Sequence, residues 1–189
     1  MKIKPTSKTG GVLVEIGPQE SFPSPSLFSP DPLPAFSLKT ILVPVDFSEC
    51  SKKALQYAIP FARQFGAELK LLHVVEPYPA VPEMGPYDLD NINDGKAQLE
   101  AFRQAIGDAV PASTSLRTGM PHLEIAEAAK DLGIDLIILS THGRSGLARM
   151  LLGSTAEKVV RHAPCPVLIV RESEREFVPV NSDPLRRHD

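Results

Sequence analysis

Cysteine is scarce in this 189-residue chain: Cys50 and Cys165 are the only two, far apart and in no CxxC spacing. That argues against a disulfide framework and against a cysteine zinc site, and it suits a reducing compartment, so a cytoplasmic protein is expected. Positive charge is scarce too, since 20 Lys and Arg against 23 Asp and Glu leave a formal net charge of -3. With no basic field and no stripe of aromatic and basic residues, nucleic acid is not expected as a partner. No apolar run approaches the length of a bilayer span. The only apolar run near the amino terminus, Val12 to Ile16, is interrupted by Glu15 and too short for a signal-peptide core. No membrane partner is expected.

Several chemical signatures are also missing. There is no GxxxxGK[ST] to hold β- and γ-phosphates with a lysine and a hydroxyl, no GxGxxG after the first strand, and no HxGH of adenylyl transfer. His73, His122, His142, His162 and His188 form no pair at metal-ligand spacing, so any metal site is unknown. No nucleophile with a base beside it can be named, so no catalytic residue is assigned. Glu124, Glu127 and Asp131 share one helix face and read as a solvated surface.

Proline, by contrast, is abundant, with 19 residues in all. Many fall in residues 1–38, where SFPSPSLFSPDPLPAF cannot donate a regular ladder and reads as an extended, disordered extension. The run Val12 to Ile16 could add a short strand there or dock on a neighbour. Residues 172–189, rich in charge and proline, read as a solvated tail. The domain proper is expected over residues 39–171.

Within it strands and helices alternate. Ile41 to Val45 is nearly all apolar, as a strand buried on both faces must be. Ser48 or Asp46 can cap the next helix, in which Ala54, Leu55, Ala58, Ile59, Ala62 and Phe65 recur at helical spacing before Gly66. Pro60 is expected to kink it. Glu68 to Val75 is the second strand, followed by a long proline-rich loop and a helix over Lys96 to Ile106 bearing Leu99, Phe102 and Ile106 on one face. Ser113 to Thr118 is a more polar third strand and suggests a sheet edge. A third helix opens at Gly119-Met120-Pro121, with Leu123, Ile125, Ala126, Ala129 and Leu132 as its buried side. Asp135 to Leu139 is the fourth strand, Ser154-Thr155-Ala156-Glu157 a capping box for a fourth helix, and Pro166 to Val170 the last strand. The expected fold class is α/β, a five-stranded parallel sheet doubly wound with helices on both faces. Ligands of such sheets sit beyond the carboxyl ends of the strands, where the strand order reverses.

Two loops are therefore candidates: Pro44-Val45-Asp46-Phe47-Ser48, and Ser140 to Ser154. In the second, Gly143 and Gly146 permit close backbone approach, and Gly153-Ser154 lies at a helix amino terminus whose N–H groups attract anions. A polyphosphate suits this loop. A turn shaped by glycines alone remains the competing reading.

Pro44 to Ser48, Leu72-His73-Val74 and the loop HGRSGLARMLLGS leading to PCPVLIV together resemble the universal stress protein family over about residues 39 to 171. The resemblance implies the adenine nucleotide alpha hydrolase-like fold, strand order 3-2-1-4-5, and ATP as ligand, with or without Mg²⁺. Nucleotide-binding members carry G-x-x-G, nine residues, then G-[S/T]; Gly143, Arg144 to Leu152 and Gly153-Ser154 match its second half. Ser140 stands where the first glycine belongs, which costs little if its φ is negative. The resemblance implies that Asp46 faces the ribose or a phosphate-bound metal, that the main chain of Val74 contacts adenine, and that Pro44 shapes the wall beside the base. Gly143, Gly153, Ser154 and Thr155 would surround the phosphates, and Val45, Ser140, His142 and Arg144 complete the binding site. It also implies a homodimer paired at Pro166 to Val170, an apolar edge strand that would invite aggregation if left bare. The expectation is an ATP-binding regulatory module of the stress response with at most slow ATP hydrolysis. The alternatives are a homodimeric interaction protein of the same fold that binds no nucleotide, and a small hydrolase or transferase using the same pocket.

Overall fold

A computed structural model describes residues 37–77, 89–141 and 152–171 in full, together with the backbone of two short strands nearer the amino terminus. The chain divides into two compact units, Met1–Phe36 and Ser37–Asp189. In the first, β1 (Lys2–Pro5) pairs antiparallel with β2 (Val12–Glu15). The apolar run whose role the sequence left open is thus one arm of a hairpin. The proline-rich stretch that follows it, the loop at 78–88 and the tail beyond Arg171 lie outside the described residues.

The second unit is built on β3 (Thr40–Pro44), β4 (Glu68–Val75), β5 (Ala112–Thr118), β6 (Leu136–Ser140) and β7 (Val167–Val170). All pairings among them are parallel, in the order β5-β4-β3-β6-β7. This is the expected order 3-2-1-4-5, with the polar β5 at one edge. Alternation within β3 explains why its sequence is continuously apolar. Ile41 and Val43 pack on one face with Leu69, Leu71, Ala54, Leu55 and Leu99, while Leu42 packs on the other with Leu72, Ile125, Ile137 and Val159. Both faces are covered, so every position must be apolar; each such fully buried side chain contributes roughly 1.5–3 kcal/mol.

Helix α1 (Glu49–Phe65) runs through Pro60 and ends at Gly66, whose φ of 67° is left-handed. A residue with a Cβ is strained there, which is why glycine makes the stop. Phe65, expected in the core, is 42% exposed at the last helical position and rests near Phe61, ring centroids 6.3 Å apart. Helix α2 (Leu89–Ile106) begins well before the expected Lys96. Its buried stripe is Gly95, Leu99 and Ile106, with Phe102 packed beside it, and the stripe's first member has no side chain to reveal the period. Helix α3 (Pro121–Asp131) starts on proline as expected, but it buries Ile125, Ala128 and Ala129, leaving Leu123 51% and Leu132 41% exposed. Small residues set the contact face because α3 lies close against α4 (Ser154–His162) and the sheet.

At the amino edge of the sheet, Asp135 ties two strands together. Its Oδ2 accepts from the Lys39 N–H at 2.8 Å, the Thr40 N–H at 3.0 Å and the Thr40 hydroxyl at 3.2 Å. These bonds, the one from Lys39 foremost, hold its carboxyl below the usual carboxylate range.

Candidate functional site

Beyond Pro44 the chain leaves the sheet in a sharp turn. Val45 makes one last ladder bond, its N–H donating to the Leu72 carbonyl at 2.8 Å. Phe47 then adopts a φ of 66°, the only positive φ at a non-glycine residue among the described ones. Ser48 caps α1, its Oγ accepting the Ser51 N–H at 3.2 Å. Asp46 holds that cap in turn, because its Oδ1 accepts both the Ser48 hydroxyl at 2.6 Å and the Ser48 N–H at 3.1 Å. Both candidates for the cap therefore act, in series.

The end of β4 is shaped by the same turn. Residues of even number in β4 point their main-chain groups toward β3, as Leu72 does, and odd ones toward β5, as Val75 does in accepting the Gly119 N–H. Val74 thus faces the β3 side, one step past the last paired residue, Pro44 opposite Leu72. In a continuing ladder the Val45 carbonyl would accept the Val74 N–H. Instead it accepts the His73 ring Nδ1–H at 2.8 Å. The main chain of Val74 is left facing the gap over the end of β3.

On the other side of the gap, Ser140 ends β6 in extended backbone, so a serine there carries no strain. Thr141, only 3% exposed, donates its N–H to the Val170 carbonyl at 3.0 Å and accepts the Gly153 N–H at 2.8 Å. This bond brings the two ends of the intervening loop together. Gly153 is the N-cap of α4, with φ of -67° and ψ of 151° and no side-chain capping bond. The expected capping box is therefore corrected: Ser154 is the first helical residue, and Glu157 donates its N–H to the Gly153 carbonyl at 2.9 Å. The shift by one residue leaves the N–H groups of Ser154, Thr155 and Ala156 with no intrahelical acceptor, at the positive end of the helix dipole.

Between these walls lies a cavity of about 300 Å³, a size suited to a small ligand. Pro44, Val45, Asp46, Val74, Ser140, Gly153, Ser154 and Thr155 all line it. Of the candidate residues, His142, Gly143 and Arg144 lie outside the described residues. The sequence reading missed Thr141 and Ala156, neighbours of named residues, and Ser51, Leu72, Leu139, Glu76, Pro121 and Ile125. Pro121 and Ile125 were within reach of topology, because every helix following a parallel strand begins at the strands' carboxyl edge.

The lining divides by chemistry. Leu72, Val74, Leu139 and Ile125 make an apolar floor, and Asp46, Ser140, Thr141, Ser154 and Thr155 a polar side beneath the α4 amino terminus. An adenine base suits the floor, and a ribose with phosphates suits the polar side. Arg117 of β5 is joined to α3 by its ion pairs to Asp131 at 2.8 Å, Glu124 at 3.7 Å and Glu127 at 3.9 Å. The acidic face of α3 is thus half solvated and half neutralised. His122 and His162 come together, ring centroids 6.4 Å apart, but among the described residues no three His, Cys, Asp or Glu are placed to hold a metal ion.

A sequence model of the Universal stress protein family matches residues 37–171. The chain belongs to the universal stress protein family. It is 35% identical over 144 residues to a universal stress protein of Methanocaldococcus jannaschii, covering 73% of this chain and 85% of that one. Among solved structures, the universal stress protein UspA from Lactobacillus plantarum aligns with a TM-score of 0.64 at 34% identity, over 72% of this chain and all of that one. A universal stress protein solved in complex with cAMP shares the fold, with a TM-score of 0.57 at 24% identity, over 71% of this chain and 98% of that one. No helix among the described residues of this family member is long and apolar enough to cross a membrane.

Proposed function

We propose that residues 39–171 form an adenine-nucleotide-binding regulatory module, with ATP as its ligand, acting in the cytoplasm in a stress response. The observation that carries this reading is the coincidence, in one cavity at the switch point of the sheet, of a main chain turned out at Val74, an acid at Asp46 and an uncapped helix start at Ser154. The first offers the base edge a donor and an acceptor, the second the ribose or a bound cation, and the third the phosphates. Each charge-assisted bond to phosphate contributes about 1.5–3 kcal/mol. Magnesium, if it accompanies ATP, would be met by Asp46, an acid that lines the cavity. No nucleophile or base is assigned, so turnover is expected to be slow.

A second reading, a homodimeric interaction protein without nucleotide, is favoured by one feature, the side chain at Ser140 where nucleotide-binding relatives carry glycine. Chromatography of the supernatant from heat-denatured protein separates the two. Adenine nucleotide in near-stoichiometric amount supports the first reading. Its absence, together with no ATP binding in calorimetry, overturns it.

A further inference from the structure

Resting on the reading of the cavity as a nucleotide site, we infer that Phe47 and His73 are positioning residues that prepare it before ligand arrives. Neither lines the cavity. Phe47 sits between Asp46 and the cap of α1 at a φ of 66°, a conformation that a bulky residue adopts only when its surroundings hold it there. The surroundings are aromatic: its ring centroid lies 4.4 Å from that of His73 and 5.5 Å, edge to face at 88°, from that of Phe102 on α2. Behind His73, the Gly95 backbone of α2 comes so near that a Cβ there would stand 3.0 Å from the imidazole Cδ2. The imidazole is thus packed between Phe47 and α2, with Nδ1 aimed at the Val45 carbonyl at 2.8 Å.

Two consequences reach the cavity from this stack. The left-handed turn at Phe47 brings the Ser48 hydroxyl and N–H back onto Asp46 Oδ1, fixing that carboxylate at the rim. The imidazole occupies the carbonyl that would otherwise take the Val74 N–H, so that the main chain of Val74 stays turned toward the cavity. A glycine at position 47 would satisfy the backbone better than phenylalanine does. The ring is therefore kept for what it holds, and the stack orients the polar groups at the cost of local strain.

The test uses the full chain and two variants, Phe47→Gly and His73→Phe, the second retaining a ring but losing the Nδ1 donor. ATP affinity is measured by calorimetry, and amide hydrogen exchange at Ser48 and Val74 by NMR without ligand. Phe47→Gly is expected to speed Ser48 exchange and weaken ATP about tenfold, and His73→Phe to slow Val74 exchange as its N–H joins the ladder, with a similar loss of affinity. Unchanged exchange at both amides overturns the inference, as does wild-type affinity in both variants when the parent binds ATP. If the parent binds no ATP, the nucleotide reading falls, while the exchange rates still decide whether the stack orients Asp46 and Val74. Should Phe47→Gly fail to fold, His73→Phe decides alone by the same two measurements.

Discussion

Asp135 shows how much one side chain at a strand start can govern. Three donors converge on its Oδ2, and with its carboxyl pKa lowered in the fold, the stability it contributes is present above the unfolded value near 3.8 and is lost as pH falls through the lower folded value. Asp135→Asn is expected to destabilise the domain by about 1 kcal/mol at neutral pH, the bonds being charge-assisted but solvent-screened. Urea titrations at pH 7 and pH 3 check the sign: the gap between parent and variant narrows at the lower pH. Gly153 and Ser140 belong to the same scale. Because the φ of Gly153 is -67°, a valine there strains no backbone, and its effect is to cover the helix start and weaken an N-cap. Gly153→Val is therefore expected to lose ATP binding in calorimetry while remaining folded, whereas Ser140→Gly retains or strengthens it. Wild-type affinity in folded Gly153→Val would remove the phosphate cradle from the proposal.

Among elements, β7 carries the proposal of a homodimer. The carbonyls of Pro166 and Val170 accept from Ile137 and Thr141 of the β6 side, so Val167 and Ile169 direct their main-chain groups to the open edge. Ile169→Pro removes an outward N–H without breaking the ladder to β6, and it is expected to convert the dimer to monomer in sedimentation. An undisturbed dimer places the contact elsewhere. The strands were the most legible elements, because burial on both faces leaves β3 and β6 almost no polar residue. Helices were legible only where their stripes are made of large residues. In α2 the stripe opens on Gly95, and in α3 the contact falls on Ala128 and Ala129, so the sequence placed one start too late and turned the other face toward Leu123 and Leu132. The cap of α4 was misplaced by one residue because Ser154 and Glu157 have the pattern of a capping box, whereas the Glu157 N–H donates to the Gly153 carbonyl and so starts the helix one residue earlier.

Across the whole molecule, the candidate site was legible in its two strand-end loops and not in what closes them, since Pro121, Ile125 and Thr141 enter through topology rather than motif. Met1–Phe36 forms a compact unit of its own, and Leu38, 3% exposed, already belongs to the core of the larger one. Removing residues 1–35 is expected to shift the melting temperature by less than about 2 °C, as befits a loss well under 1 kcal/mol in a domain of this size. A larger fall in scanning calorimetry would mean that the β1–β2 hairpin contributes to the domain's stability. The bond between Thr141 and Gly153 has a consequence for how such a protein can diversify. Because the two ends of the loop meet there, residues can be added between them at an entropic charge of only about 0.6 kcal/mol per doubling of length. The segment between them can thus change in length while the sheet and the helix start keep their register, but a change that removes Gly143 or its nine-residue spacing to Gly153 is expected to forfeit ATP binding even in a folded domain.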